Sequence, residues 1–112
     1  MKKQSLDELL EEIGRTSLLS HEEELALLKV VQEKGTDCDE MKQLEEANMR
    51  FVVSVANQYQ KRGLTLEELI EAGTNGLRKG AMKYNLEADF KFIAYAVWWI
   101  RQSIMQAIEE KK

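Results

Sequence analysis

Phe90-Lys91-Phe92-Ile93-Ala94-Tyr95-Ala96-Val97-Trp98-Trp99-Ile100-Arg101-Gln102-Ser103-Ile104-Met105-Gln106-Ala107 contains both tryptophans of the 112-residue chain. Wound as an α-helix from Ile93 at about 100° per residue, it gathers Ile93, Ala96, Val97, Ile100, Ile104, Ala107 and Ile108 on one apolar arc. That arc is the expected core face. Tyr95, Trp98, Trp99, Gln102 and Gln106 fall opposite, where an ordinary surface helix carries Lys and Glu. An aromatic face turned from the core calls for a partner. The alternative is that Trp98 and Trp99 pack as plain core under the first two helices, and periodicity alone does not separate the two.

Upstream of this stretch the patterns are also helical. The chain has no proline, six glycines and no alternating strand segment, which predicts an all-α, compact bundle of about five helices in one domain spanning residues 1–112. The first is expected from Leu6 to Ile13, with Ser5 as its cap and Gly14 as its stop. Ser20-His21-Glu22-Glu23 is a capping box, in which the serine hydroxyl and the glutamate three residues on satisfy each other's free amides. It opens a second helix, which Gly35 closes. The third is expected from Asp39 to Arg62, ended by Gly63. Thr65-Leu66-Glu67-Glu68 is a second capping box and opens the fourth. There Gly73, Gly76 and Gly80 each cost roughly 1 kcal/mol relative to alanine, which fits a neighbouring helix packed close against them. The outer face of this helix shows Glu68, Glu71, Asn75, Arg78 and Lys79.

Charge and composition narrow the function classes. Residues 1–46 hold six Lys/Arg against thirteen Asp/Glu, whereas residues 47–112 hold ten against seven. A polyanion site therefore belongs in the second part. One cysteine, Cys38, and one histidine, His21, make no metal cluster, and both read as surface residues. No apolar run is long enough for a bilayer and no signal segment opens the chain, so a cytoplasmic location without a membrane partner is expected. There is no nucleophile with a base and no phosphate-cradling loop. Neither catalysis, a cofactor, a metal nor a small-molecule substrate is expected. Aromatic and basic residues together from Lys91 onward suit unpaired bases, with rings stacking and cations holding phosphates.

The segments Ala47-Asn48-Met49-Arg50-Phe51-Val52-Val53-Ser54-Val55-Ala56, Tyr59-Gln60-Lys61-Arg62-Gly63-Leu64, Phe90-Lys91-Phe92 and Tyr95 through Ile104 resemble the second region of housekeeping sigma factors, the promoter-specificity subunits of bacterial RNA polymerase. Leu6 to Gly14 and Leu18-Leu19-Ser20 resemble the end of the first region. Residues 1–38 are accordingly expected to be region 1.2-like and 39–112 region 2-like. Complete family members continue into further helical regions past the position of Lys112.

The resemblance implies that the fifth helix and the preceding turn melt and read the −10 promoter element on the non-template strand. The matching positions are Lys91, Phe92, Tyr95, Trp98 and Trp99 for opening and stacking, Gln102 for the upstream duplex edge, and Asn48 nearby. Arg50 and Arg101 complete the expected DNA-binding set. It also implies that the fourth helix docks on a coiled coil of the largest catalytic subunit of core RNA polymerase, through Glu68, Glu71, Ala72, Thr74, Asn75 and Arg78.

The departures from that family have their own implications. Where the family usually reads Asp-Leu-Ile-Gln-Glu-Gly-Asn, this chain has Glu68-Leu69-Ile70-Glu71-Ala72-Gly73-Thr74, and Arg78 replaces an apolar residue. Glu87-Ala88-Asp89 stands where basic residues and glycine are common, and Ala94 and Val97 replace hydroxyl residues. These changes leave a second reading, a sigma-like protein-interaction module that does not read promoters.

Overall fold

The computed structural model describes residues 19–111. Among the described residues the chain forms four helices and no strand: α1 (His21–Lys34), α2 (Asp39–Asn57), α3 (Leu66–Lys83) and α4 (Phe92–Lys111). The sequence predicts about five, and the first of these, Leu6 to Ile13, lies outside the described residues.

Both capping boxes form. Ser20 Oγ accepts from the Glu23 amide while Glu23 Oε1 accepts from the Ser20 amide, each at 3.1 Å. Thr65 and Glu68 repeat the arrangement at the start of α3, at 3.0 and 3.1 Å. Two of the amides that a helix start leaves open are thereby satisfied at each site. Gly35, at φ 91°, ends α1 where predicted.

α2 stops at Asn57, five residues short of the predicted end at Arg62. The Gln58 and Tyr59 amides bond to Val55 O and Ala56 O, a tighter three-residue turn. Lys61 then takes a left-handed φ of 69° and Gly63 one of 108°, reversing the chain toward α3. Gly63 thus serves the reversal, not the helix end. One consequence is that Tyr59 folds inward and is nearly buried.

The centre of the bundle is the fully buried set Phe51, Val52 and Val55 of α2, Leu69 and Leu77 of α3, and Phe92, Ile100 and Ile104 of α4, roofed by Leu28 and Val31 of α1. The most extensive packing is between α3 and α4. Gly73, Gly76 and Gly80 make it possible. An added Cβ at Gly76 would lie 2.4 Å from Trp99 O and 2.7 Å from Ile100 Cα, so the two backbones touch. α1 is tied to the end of α3 by Gln32, whose Nε2 donates to Ala81 O at 3.0 Å and Tyr84 O at 2.7 Å. These carbonyls are among those that a helix end leaves open. α2 is tied to α3 by the Arg78–Glu45 ion pair at 2.5 Å, with Glu45 largely buried.

No helix among the described residues is long and apolar enough to cross a membrane. Within the same residues no group of His, Cys, Asp and Glu could hold a metal ion.

Candidate nucleic-acid interface

The turn between α3 and α4 is shaped by its own side chains. Asn85 Oδ1 accepts from the Glu87 amide at 2.9 Å, and the Ala88 amide bonds back to Asn85 O at 3.0 Å. Tyr84 anchors it from below, buried, with its hydroxyl donating to Phe90 O at 2.5 Å. From Tyr84 a chain of ring contacts runs outward. Its ring meets Phe92 at 5.5 Å and Phe90 at 5.9 Å, both edge to face, and Tyr95 at 5.9 Å. Phe90 and Tyr95 are 6.0 Å apart, Tyr95 and Trp99 6.4 Å, and Trp98 and Trp99 5.0 Å. Such contacts fix the orientation of rings that would otherwise rotate freely.

The ends of this chain face solvent: Phe90 is 49% and Trp98 56% exposed. Tyr95 is half-buried between them. These rings offer π-faces on a rigid base, which is what stacking on unpaired bases requires.

The expected DNA-binding residues fall in different places. Phe92 is fully buried and forms part of the core. Trp99, expected on the exposed face, is half-buried. The glycines draw α3 in until the indole lies against Gly80, where an added Cβ would be 3.3 Å from Trp99 Cδ1. Its Nε1 is buried and has no hydrogen-bond partner among the described residues. It packs on α3; the first of the two helices that the alternative invoked lies outside the described residues. Asn48 is buried in α2, its Nδ2 donating to Leu44 O at 2.8 Å. Arg50, Lys91, Arg101 and Gln102 are exposed. Arg101 Nε donates to Tyr59 Oη at 3.0 Å.

Phe90, at the exposed end of the ring chain, was not among the expected residues. It stands in the turn, outside any helical period, so periodicity gives it no face, although it opens the Phe90-Lys91-Phe92 segment that carries the resemblance. Glu24 of α1 was also unforeseen. Burial pushes its carboxyl up from the ordinary range, opposed by the positive charges of His21 and Lys91. Its charge in turn adds to the burial that raises the Tyr84 phenol. Lys91 therefore already has a carboxylate to answer.

A group raised in the folded state favours folding below its unfolded pKa, and that stability is lost as pH rises through the folded value. Ionised Glu24 thus costs stability at neutral pH. Glu24→Gln is expected to melt higher than the parent at pH 7, with the gap closing near pH 4, measured by thermal unfolding at both. Glu23 and Glu68 carry the opposite slope, because the cap hydrogen bonds hold their carboxyls below the ordinary range. Their contribution is lost as pH falls.

On the opposite side of α3, Glu71, Asn75 and Arg78 are exposed, Glu68 and Thr74 half-buried, and Ala72 buried. Glu68, Glu71, Ala72 and Asn75 line an open groove whose other wall is Ala107, Glu110 and Lys111 of α4. Lys111 reaches Glu68 at 3.6 Å. Thr74 Oγ1 instead donates to Ile70 O at 2.8 Å, and Arg78 leans to Glu45 of α2. The six residues therefore spread over two neighbouring faces.

Residues 44–112 match the family described as sigma-70 region 2. The chain is 44% identical over 102 residues to the RNA polymerase sigma factor SigA of Listeria monocytogenes, covering 91% of this chain and 27% of that protein. To the RNA polymerase sigma factor SigA of Clostridium acetobutylicum it is 45% identical over 102 residues, covering 91% and 26%. The chain spans about a quarter of the length of these curated relatives. With a family match over more than half of its residues and this identity to housekeeping-type sigma factors, the chain belongs to the sigma-70 family and carries its region 2.

Proposed function

We propose that this chain is a transcription-initiation module that binds core RNA polymerase and holds the melted −10 promoter element through the non-template strand. The observation that carries the reading is the ring chain, rooted on buried Tyr84 and Phe92 and ending in the exposed Phe90 and Trp98. Phe90, Tyr95 and Trp98 stack on unpaired bases, Lys91, Arg50 and Arg101 neutralise phosphates, and Gln102 meets the upstream duplex edge. Phe92 and Trp99 support this surface from beneath. The module performs no covalent chemistry and needs no cofactor. The outer face of α3, with Glu71, Asn75 and Arg78, docks on the coiled coil of the largest catalytic subunit. α1 belongs to the region 1.2-like part and α2 to α4 to the region 2-like part of one domain.

The test is fluorescence binding of a labelled single-stranded −10 oligonucleotide, with and without core polymerase. Loss of one stacking ring costs about 1–3 kcal/mol, which is roughly 5- to 150-fold in affinity. Trp98→Ala and Tyr95→Ala are each expected to show a loss in that range while retaining a cooperative melting transition. Parental binding by both variants would remove the stacking surface.

A second reading, an interaction module that occupies polymerase without reading promoters, is favoured by the acids around Lys91. Glu24 lowers the charge available there, and Glu87 and Asp89 lie in the exposed turn before it. Polymerase binding with no response to the oligonucleotide is the result that reading predicts.

A further inference from the structure

Along the outer side of α3 five exposed residues stand four apart: Glu67, Glu71, Asn75, Lys79 and Lys83. Their charge reverses about Asn75, with two acids before it and two bases at matching distances after it. Among the described residues none of these four charges enters an ion pair, and the Asn75 side-chain amide has no hydrogen-bond partner. The other charges nearby are already engaged, Arg78 by Glu45 and Glu68 by Lys111.

Residues four apart on a helix lie side by side, so Glu67 repels Glu71 and Lys79 repels Lys83. The row is unfavourable to itself. A row of this spacing is inclined by about −26° to the helix axis, and two such rows lie together when helices cross at about −50°, the commonest packing. A twofold axis at Asn75 makes that arrangement with a second copy of the chain. It sets Glu71 against the second copy's Lys79 and Glu67 against its Lys83, and symmetry repeats both contacts. The two Asn75 amides can each donate to the other's oxygen. Met82, seven residues past Asn75 and 40% exposed, adds apolar surface on the same side.

We propose that the chain self-associates through the outer face of α3 as a symmetric antiparallel dimer held by this charge ladder. The pairing does not depend on the polymerase reading. Its consequence rests on that reading: Glu71 and Asn75 belong to the proposed docking face, so a second copy and core polymerase exclude each other, and the dimer holds the module away from the enzyme.

Sedimentation equilibrium of the chain in low salt is expected to show monomer and dimer, with the dimer receding as added salt screens the ladder. Glu71→Lys and Lys79→Glu each turn two attractive contacts into repulsive ones, and each is expected to weaken the dimer about tenfold or more. An equimolar mixture of the two variants brings opposite charges together at both positions and is expected to restore association. Neither a folding defect nor a change of net charge is repaired by mixing. Failure of the mixture to associate, or a parent that stays monomeric in low salt at every concentration, would overturn the proposal. Core polymerase is expected to convert the dimer into a complex with one copy of the chain. Dimer bound intact to polymerase would remove the exclusion, and a polymerase that does not bind at all would strike the docking reading while the mixing result stands.

Discussion

Gly76→Ala is expected to destabilise the bundle by about 3 kcal/mol, at the upper end of what overpacking usually costs. The added methyl would sit 2.4 Å from Trp99 O and 2.7 Å from Ile100 Cα. Both are backbone atoms of a helix, and neither can move without shifting all of α4. Alanine's better helix propensity returns only about 1 kcal/mol. Gly73→Ala is the control within the same helix. Its Cβ would meet Val52 Cγ1 at 3.0 Å and Ile100 Cγ2 at 3.3 Å, the ends of side chains that can give by a few tenths of an ångström. There the propensity gain and the crowding nearly cancel, and stability is expected within about 1 kcal/mol of the parent. Urea unfolding of the two variants measures the contrast. Equal stability for both would mean that the helices do not approach at Gly76 as closely as described. Since α4 carries Trp98, the displaced helix is also expected to weaken oligonucleotide binding.

That close approach was legible in the sequence because it is written in a local pattern. Three glycines in a helix with strong capping make sense only against a neighbour, and both capping boxes name their own partners within four residues. The inward arc of α4 was equally readable, since Ile93, Ala96, Val97, Ile100, Ile104 and Ile108 are all buried as their period predicts. What the sequence did not disclose depends on contacts between elements. Helical periodicity gives a direction for Trp99 but not the distance to α3, and it is that distance that covers the indole. Asn48 and Phe92 carry the residue types of a binding surface, yet the first turns back on its own helix and the second fills the gap beside Tyr84. The early end of α2 comes with a tighter turn at Gln58 and Tyr59 and a left-handed lysine after it, a conformation that sequence patterns do not mark for that residue type. Glu24 and Lys91, 67 positions apart, come within reach of each other's charge only through the tertiary fold.

The neighbouring phenylalanines separate support from contact. Phe92 is fully buried and edge-on to Tyr84 at 5.5 Å, whereas Phe90 is 49% exposed at 5.9 Å from the same ring. Truncating a buried phenylalanine removes its transfer energy and leaves a cavity, together about 3–5 kcal/mol. Phe92→Ala is therefore expected to lose about that much in urea unfolding. The loss sits under the first turn of α4, so the ring chain above it loosens as well. Phe90→Ala removes a side chain that leaves half its surface in water, and its stability cost is expected to stay near 1 kcal/mol. Its effect belongs in binding instead, a roughly 5- to 150-fold loss on the −10 oligonucleotide if its ring stacks on a base. Urea unfolding and oligonucleotide titration on the two variants give four numbers. A Phe92→Ala variant of parental stability would take that ring out of the core, and a Phe90→Ala variant with parental binding would end the stacking surface at Tyr95.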